Sequence, residues 1–239
     1  MCYVGIVGKR HSGRETAAWL IAHAIEYNIR GMNFSEWDEM YKKLVDYVIE
    51  DPEVIESTAH CTIDTFGGYI LDFVKLFCPP IADLDLGDKH VIINYIICPD
   101  TFDVRDNTQH EYDDLLVSHD KYVPGTNAYL YLEDFIIYFA NDVMKKSFGK
   151  NVWLNVARHS IVNNSDNEYK IFWDVKTNEE KKFIKKKGTL IKLENIKRET
   201  EGGYRDIEMN DQDIVLNTAG ELRDMGRKFW AIAEYIVSK

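Results

Sequence analysis

Val4-Gly5-Ile6-Val7-Gly8-Lys9-Arg10-His11-Ser12-Gly13-Arg14-Glu15-Thr16 is the stretch on which the reading of this chain turns. An apolar strand, Tyr3 to Val7, runs into a turn with glycines at Gly8 and Gly13, and Thr16 then opens an amphipathic helical segment. The layout follows the phosphate-binding loop G-x-x-x-x-G-K-[ST], with Arg14 in the lysine position and Glu15 moving the hydroxyl one residue late. Glycines let backbone N–H groups turn inward around a phosphate, a helix N-terminus adds partial positive charge, and a hydroxyl there can reach Mg²⁺. The plainer alternative is a strand–turn–helix junction whose glycines serve only the turn.

The 239 residues are enough for one α/β domain, 1–239, with an insert. With 45% hydrophobic and 29% charged residues the composition is that of a globular chain. No apolar run approaches the roughly 18 residues that span a bilayer, so no membrane partner is expected. Met1-Cys2-Tyr3 lacks a basic region followed by an apolar stretch, and a cytoplasmic location is the expectation. Cys2, Cys61, Cys78 and Cys98 are far apart and read as reduced thiols rather than as zinc ligands. A formal net charge of -11 argues against duplex nucleic acid, which needs a basic surface, and leaves room for a mononucleotide held by a local pocket of donors.

Ala17, Leu20, Ile21, Ala24 and Ile25 share one helical face. A second helix is expected from Ser35 as N-cap, with Trp37, Met40, Tyr41, Leu44 and Val48 as its stripe. Cys61 to Phe66 reads as a strand, then Gly67-Gly68 and a helix through Phe77. Val91 to Ile97 is a β-branched run expected to pair. Residues near 100–126, with Asp100, Asp103, Asp106, Glu111, Asp113, Asp114 and Asp120, read as a solvated acidic insert. A strong helix is expected from Tyr129 to Val143, ending near Gly149. Strands are then expected from Tyr169 to Trp173, over Leu190 to Leu193 and over Ile214 to Leu216, with helices at Asn178 to Lys187 and Leu222 to Ile236. Alternating strands and helices imply a mainly parallel sheet, with ligands at the carboxyl ends of its strands.

Several segments together resemble the deoxynucleoside monophosphate kinases of tailed bacteriophages. The loop through Ser12-Gly13-Arg14-Glu15-Thr16 is similar to that family's Ser-Gly-Lys-Asp-Thr. Tyr131-Leu132-Glu133-Asp134-Phe135 and Phe148-Gly149-Lys150-Asn151-Val152-Trp153 resemble its Leu-Gln helix and the tryptophan segment after it. Ile171-Phe172-Trp173-Asp174-Val175-Lys176-Thr177-Asn178-Glu179-Glu180 looks like its Asp-Val-Arg…Asn-Glu segment. Asp213 to Leu222 resembles its closing strand and the turn into the last helix. The resemblance covers most of 1–22 and 126–236. Arginine replaces the loop lysine, Ile70 stands at another lysine position, Tyr129 stands where an arginine begins the Leu-Gln helix, and Lys176 replaces the arginine of Asp-Val-Arg.

The resemblance implies a P-loop kinase-like three-layer α/β fold, with a central mainly parallel sheet and a helical lid or insert region. It implies transfer of the ATP γ-phosphate to a deoxynucleoside monophosphate, with ATP and Mg²⁺ as cofactors and the host cytoplasm as location if the chain is phage-encoded. Gly8, Lys9, Arg10, His11, Ser12, Gly13, Arg14, Glu15 and Thr16 would hold the donor phosphates, and Asn217 and Thr218 would border its base. Arg14, Asp174 and Lys176 would act in catalysis, with Thr16 and Asp174 near the metal. Tyr129, Glu133, Lys145 and Lys146 would hold the acceptor. The plainer roles are an N-cap for Asp174, a solvated lysine for Lys176, a β–α turn for Asn217 and Thr218, and a solvated face for Lys181, Lys182, Lys185, Lys186 and Lys187. Because phosphoryl transfer depends on positioned cations, the missing ones leave open a kinase-fold protein without turnover, acting as nucleotide binder or assembly component. A kinase for another small acceptor is a third reading, and a homodimer is left open.

Overall fold

Strand β1 (Cys2–Gly8) is buried from Tyr3 onward, as an apolar strand in the middle of a parallel sheet must be. In the computed structural model, which describes residues 1–9, 12–51, 56–78, 81, 84, 89–95, 102–163, 168–194, 210 and 213–239, this strand is the centre of a five-stranded sheet. The other strands are β2 (Cys61–Asp64), β6 (Tyr169–Phe172), β7 (Gly188–Glu194) and β8 (Ile214–Asn217), in the order β2-β6-β1-β7-β8. All four pairings are parallel, with Val4 opposite Ile171 on one side and opposite Thr189 on the other.

The period of two along β1 sends alternate side chains to opposite faces. Val4 and Ile6 pack with helices α1 (Arg14–Ile29), α2 (Phe34–Glu50) and α7 (Gly226–Val237). On the other face Tyr3 stacks on Phe183 of α6 (Asn178–Lys185), with ring centroids 5.0 Å apart. The chain is therefore α/β, with a parallel sheet flanked by helices on both faces. Helix α1 is buried over more than one stripe, since Ala18, Trp19 and Ala22 are covered together with Leu20, Ile21, Ala24 and Ile25. Helix α2 has its N-cap two residues earlier than Ser35. Asn33 is the N-cap, accepting from the N–H groups of Ser35 and Glu36, and Glu36 returns a bond to the Asn33 N–H. This reciprocal capping box outcompetes Ser35 because it satisfies backbone donors in both directions. At the other end of the layer the Trp37 indole donates to Gly226 O at 2.8 Å and the Tyr41 hydroxyl to Leu222 O, locking α2 to the start of α7.

By its contacts the chain forms two units, Met1–Phe66 with Ser160–Lys239, and Gly67–His159. The second unit contains an antiparallel sheet, β4-β3-β5, made of β3 (Val91–Tyr95), β4 (Phe102–Asp106) and β5 (Leu130–Tyr131). The solvated reading of the acidic segment is corrected here for residues 102–106. Phe102 and Val104 pack on the cluster around Ile93, Leu130 and Phe135, and Asp103 binds Arg105 at 2.9 Å. Alternation, not net charge, decides this segment. Asp100 and Cys98 lie outside the described residues, as do Arg10, His11 and the end of the expected strand at Ile96 and Ile97.

The expected Tyr129 helix is also revised. Tyr129 bridges to Leu116 in extended structure, and helix α4 (Leu132–Tyr138) begins only after β5. It continues through a π-helical stretch, Phe139–Lys145, and a last turn, Lys146–Phe148. The wider π turn is met by the Trp153 indole, which donates to Ala140 O at 3.1 Å from helix α5 (Val152–Asn163). Gly67 and Gly68 lie inside helix α3 (Phe66–Phe77) rather than before it. Among the described residues no helix is long and apolar enough to cross a membrane.

Candidate functional site

The chain leaves β1 for β2 on one side of the sheet, whereas β7 lies on the other side of β1 and continues outward to β8. Open α/β sheets place their binding crevice at such a reversal, outside the carboxyl ends of the strands. The Gly8–Thr16 loop leaves β1 at that point.

Two glycines fix the loop. Gly13 has φ of 77° and is the N-cap of α1, a left-handed conformation natural to glycine. It brings no side-chain acceptor to the first-turn N–H groups of the helix. Gly8 is needed for close approach, because a Cβ there would lie 2.4 Å from Ser12 Oγ and 3.3 Å from both Arg14 Cγ and Leu193 Cβ. Ser12 and Arg14 thus lie close to the end of the strand, with the Ser12 N–H donating to Lys9 O at 3.1 Å. Ser12 Oγ is buried and meets no hydrogen-bond partner among the described residues. Arg14 opens α1 and lays its guanidinium over the Trp173 ring, 5.9 Å from the centroid. Glu15 and Thr16 complete the first turn, and the Ala17 N–H closes it on Gly13 O at 2.9 Å.

Asp174 follows β6 and is 3% exposed. Its Oδ1 accepts from the Phe66 N–H at 2.7 Å and its Oδ2 from the Thr65 hydroxyl at 2.9 Å, so it caps the start of α3 from a neighbouring strand end. It is not the N-cap of α6. Thr177 has that role, accepting from the Glu180 N–H at 3.2 Å, and the Glu180 carboxylate receives the Lys176 and Thr177 N–H groups. Burial pushes the Glu180 carboxyl up despite those hydrogen bonds. The Lys176 ammonium is half-exposed and 3.9 Å from Asp174 Oδ2. Asn217 ends β8 and its Oδ1 accepts from the Ala219 N–H at 2.9 Å, while Thr218 donates its N–H to Glu194 O at 2.8 Å. The first unit thus has Gly8, Arg14, Asp174, Lys176, Asn217 and Thr218 at or just beyond strand carboxyl ends.

The lysine-rich helix is less solvated than its composition suggests. Phe183 and Ile184 are buried as expected, but Lys185 bonds Asp213 Oδ1 at 2.6 Å and Lys181 lies 3.9 Å from Oδ2. The Asp213 side chain is 1% exposed, and the lysines together with the Asn210 N–H at 2.8 Å satisfy its buried carboxylate. Its spacing of 28 residues from Lys185 leaves no local sequence signal.

Tyr129, Glu133, Lys145 and Lys146 belong to the second unit. Tyr129 is buried and its hydroxyl donates to Asp103, with burial first and this bond second pushing its pKa up to about 12. Glu133 is exposed in the first turn of α4. Lys145 bonds Asn141 at 2.8 Å and Lys146 bonds Asp142 at 2.6 Å, both one turn back.

No protein-family model matches the chain, and no curated protein matches it at a significant level.

Proposed function

We propose that the chain is a P-loop kinase-like phosphotransferase that binds ATP at Gly8–Thr16 and transfers its γ-phosphate to a deoxynucleoside monophosphate. The observation that carries this reading is the glycine-bounded turn leaving the central strand of a parallel sheet and entering α1 where the strand connections reverse. Inward backbone N–H groups and the helix N-terminus are what a polyphosphate requires. Arg14 supplies the cation that the loop lysine supplies elsewhere, and Thr16 and Asp174 are the groups suited to a nucleotide-borne Mg²⁺. Asp174 accepts one protein hydrogen bond on each carboxylate oxygen, and the lone pairs that remain would be what it offers such an ion or its water. The deoxynucleotide acceptor rests on the sequence resemblance of residues 126–180.

A second reading is a nucleotide binder without turnover. It is favoured by the engagement of Asp174 in capping α3 and of Tyr129 with Asp103. Calorimetry with a non-hydrolysable ATP analogue and Mg²⁺, followed by ADP-release assays over the four deoxynucleoside monophosphates and their nucleosides, separates the readings. Binding with turnover on a monophosphate and none on its nucleoside supports the kinase, since a site organised around the acceptor phosphate loses its charged contacts with the nucleoside. Binding without turnover on any acceptor supports the binder. No heat at millimolar analogue, with a folded protein, overturns both.

A further inference from the structure

Trp173 follows the last residue of β6, the strand beside β1. The period of two along the strand puts it on the face of Ile171, where it packs against the core that α1 covers. Its backbone is tied to both neighbouring strands. The Trp173 N–H donates to Asp64 O of β2 at 3.3 Å, and two residues on the Val175 N–H donates to Ile6 O of β1 at 3.3 Å. The indole is therefore a fixed platform at the carboxyl end of the sheet, one strand over from the Gly8–Thr16 loop.

Arg14 reaches this platform from the first turn of α1. Its stem passes Gly8, where an added Cβ would lie 3.3 Å from Arg14 Cγ. The guanidinium carbon then stands 5.9 Å from the indole centroid, inside the roughly 6 Å over which a cation is drawn to an aromatic face. Both side chains are half-buried, so water screens the attraction less than at an open surface. Tryptophan is the strongest ring for such a contact, and arginine makes it more often than lysine. The contact also suits a cation that has to meet an anion, because it draws on the charge and takes up none of the N–H donors. A long side chain without such a hold spreads over many rotamers and loses that freedom on binding. Holding the cation in place beforehand raises affinity by the gain in the population that can bind.

We infer that Trp173 is a positioning residue of the phosphate loop: its indole face holds the Arg14 guanidinium at the loop, where the oxygens of a donor polyphosphate would meet it. This role rests on the reading of Gly8–Thr16 as a nucleotide site. It also gives a physical reason for arginine in the lysine position, since the flat guanidinium suits the aromatic face at the neighbouring strand end.

A double-mutant cycle is the test. Calorimetry gives the Kd of a non-hydrolysable ATP analogue with Mg²⁺ for the parent, Trp173→Leu, Trp173→Phe, Arg14→Ala and Arg14→Ala combined with each. Trp173→Leu is expected to weaken binding about 3- to 30-fold, the equilibrium factor of one cation–π contact. Trp173→Phe is expected to weaken it less, because phenylalanine removes a similar volume but keeps a π face. With Arg14→Ala in place, the two substitutions at Trp173 are expected to make no further difference. A thermal melt checks folding, and Trp173→Met, which keeps more of the apolar contact, replaces Trp173→Leu if that variant does not fold. Absence of analogue binding by the parent overturns the nucleotide reading and this role with it. Parental binding that Trp173→Leu weakens less than threefold, or tightens, overturns this role alone. So does equal weakening by leucine and phenylalanine, or weakening that persists without Arg14, since lost packing would then account for it.

Discussion

Replacing Gly8 by alanine tests the loop at its tightest point. The added methyl would stand 2.4 Å from Ser12 Oγ, about 1 Å inside an ordinary van der Waals contact, and 3.3 Å from Arg14 Cγ and Leu193 Cβ. Rotation of the serine side chain relieves only the first contact. The other two hold the methyl between the first turn of α1 and strand β7, so the loop must move away from the strand end. Overpacking of this kind costs about 1–3 kcal/mol. If the loop cradles a polyphosphate, the same shift of the N–H groups weakens the non-hydrolysable ATP analogue by about tenfold or more, since 1.4 kcal/mol is a factor of ten. Urea unfolding and calorimetry on Gly8→Ala, Ser12→Ala and the double variant apportion the effect. Ser12→Ala removes the atom at 2.4 Å, so the double variant is expected to recover part of the loss but not all. An analogue affinity within twofold of the parent for Gly8→Ala, at unchanged stability, would refute the reasoning.

Arg14→Ala is expected to lower kcat by about 10²-fold, the usual loss for one preorganised charge contact, and Arg14→Lys to keep turnover, read by coupled ADP release. Parental rates in Arg14→Ala would remove Arg14 from the site. Asp174→Asn is expected to cost about 1–3 kcal/mol in urea unfolding, because a buried charged acceptor of the Phe66 N–H and the Thr65 hydroxyl is neutralised; analogue binding with lost turnover in a folded variant would mark a role beyond this cap. For pH, burial lowers the His23 pKa below 6.5, so the stability of its neutral form is present above 6.5 and lost as pH falls from there through the folded value. Burial raises the Glu26 pKa, but the bonds from His60 and Arg30 outweigh it and hold the group below 4.5, so its contribution is present above 4.5 and lost as pH falls through that lower value. His23→Gln is therefore expected to flatten stability against pH just below 6.5 while leaving the later acid loss, and unchanged slopes in both windows would contradict the assignment.

The sequence by itself determined the alternation of strands and helices and the placement of the loop between β1 and α1. Those features are local: an apolar run, two glycines and a 3.6-residue period are all visible within 25 residues of Met1. It also marked Asp174, Asn217 and Thr218 as strand-end residues, because each follows an apolar strand directly. The sequence pointed to Ser35 as the cap of α2, whereas Asn33 with Glu36 holds that place, since both residue types accept backbone N–H groups equally well in isolation and only the folded chain chooses between them. Only the tertiary structure decided what these side chains meet. Asp174 caps α3 from 108 positions away, Asp213 holds Lys185 across 28, and Glu26 gathers His60 across 34. Residues 102–106 of the acidic stretch became β4 because Phe102 and Val104 found a core in β3 and α4, which charge counting cannot register. The stripe Trp19, His23, Tyr27 and Arg30 carries a helical period, but its mixed chemistry gave no apolar signal, and the cleft it lines exists only once α2 and the approach to β2 pack beside it. Periodicity is written along the chain, whereas partners at long separation are chosen by burial and by the need of every buried polar group for a hydrogen bond.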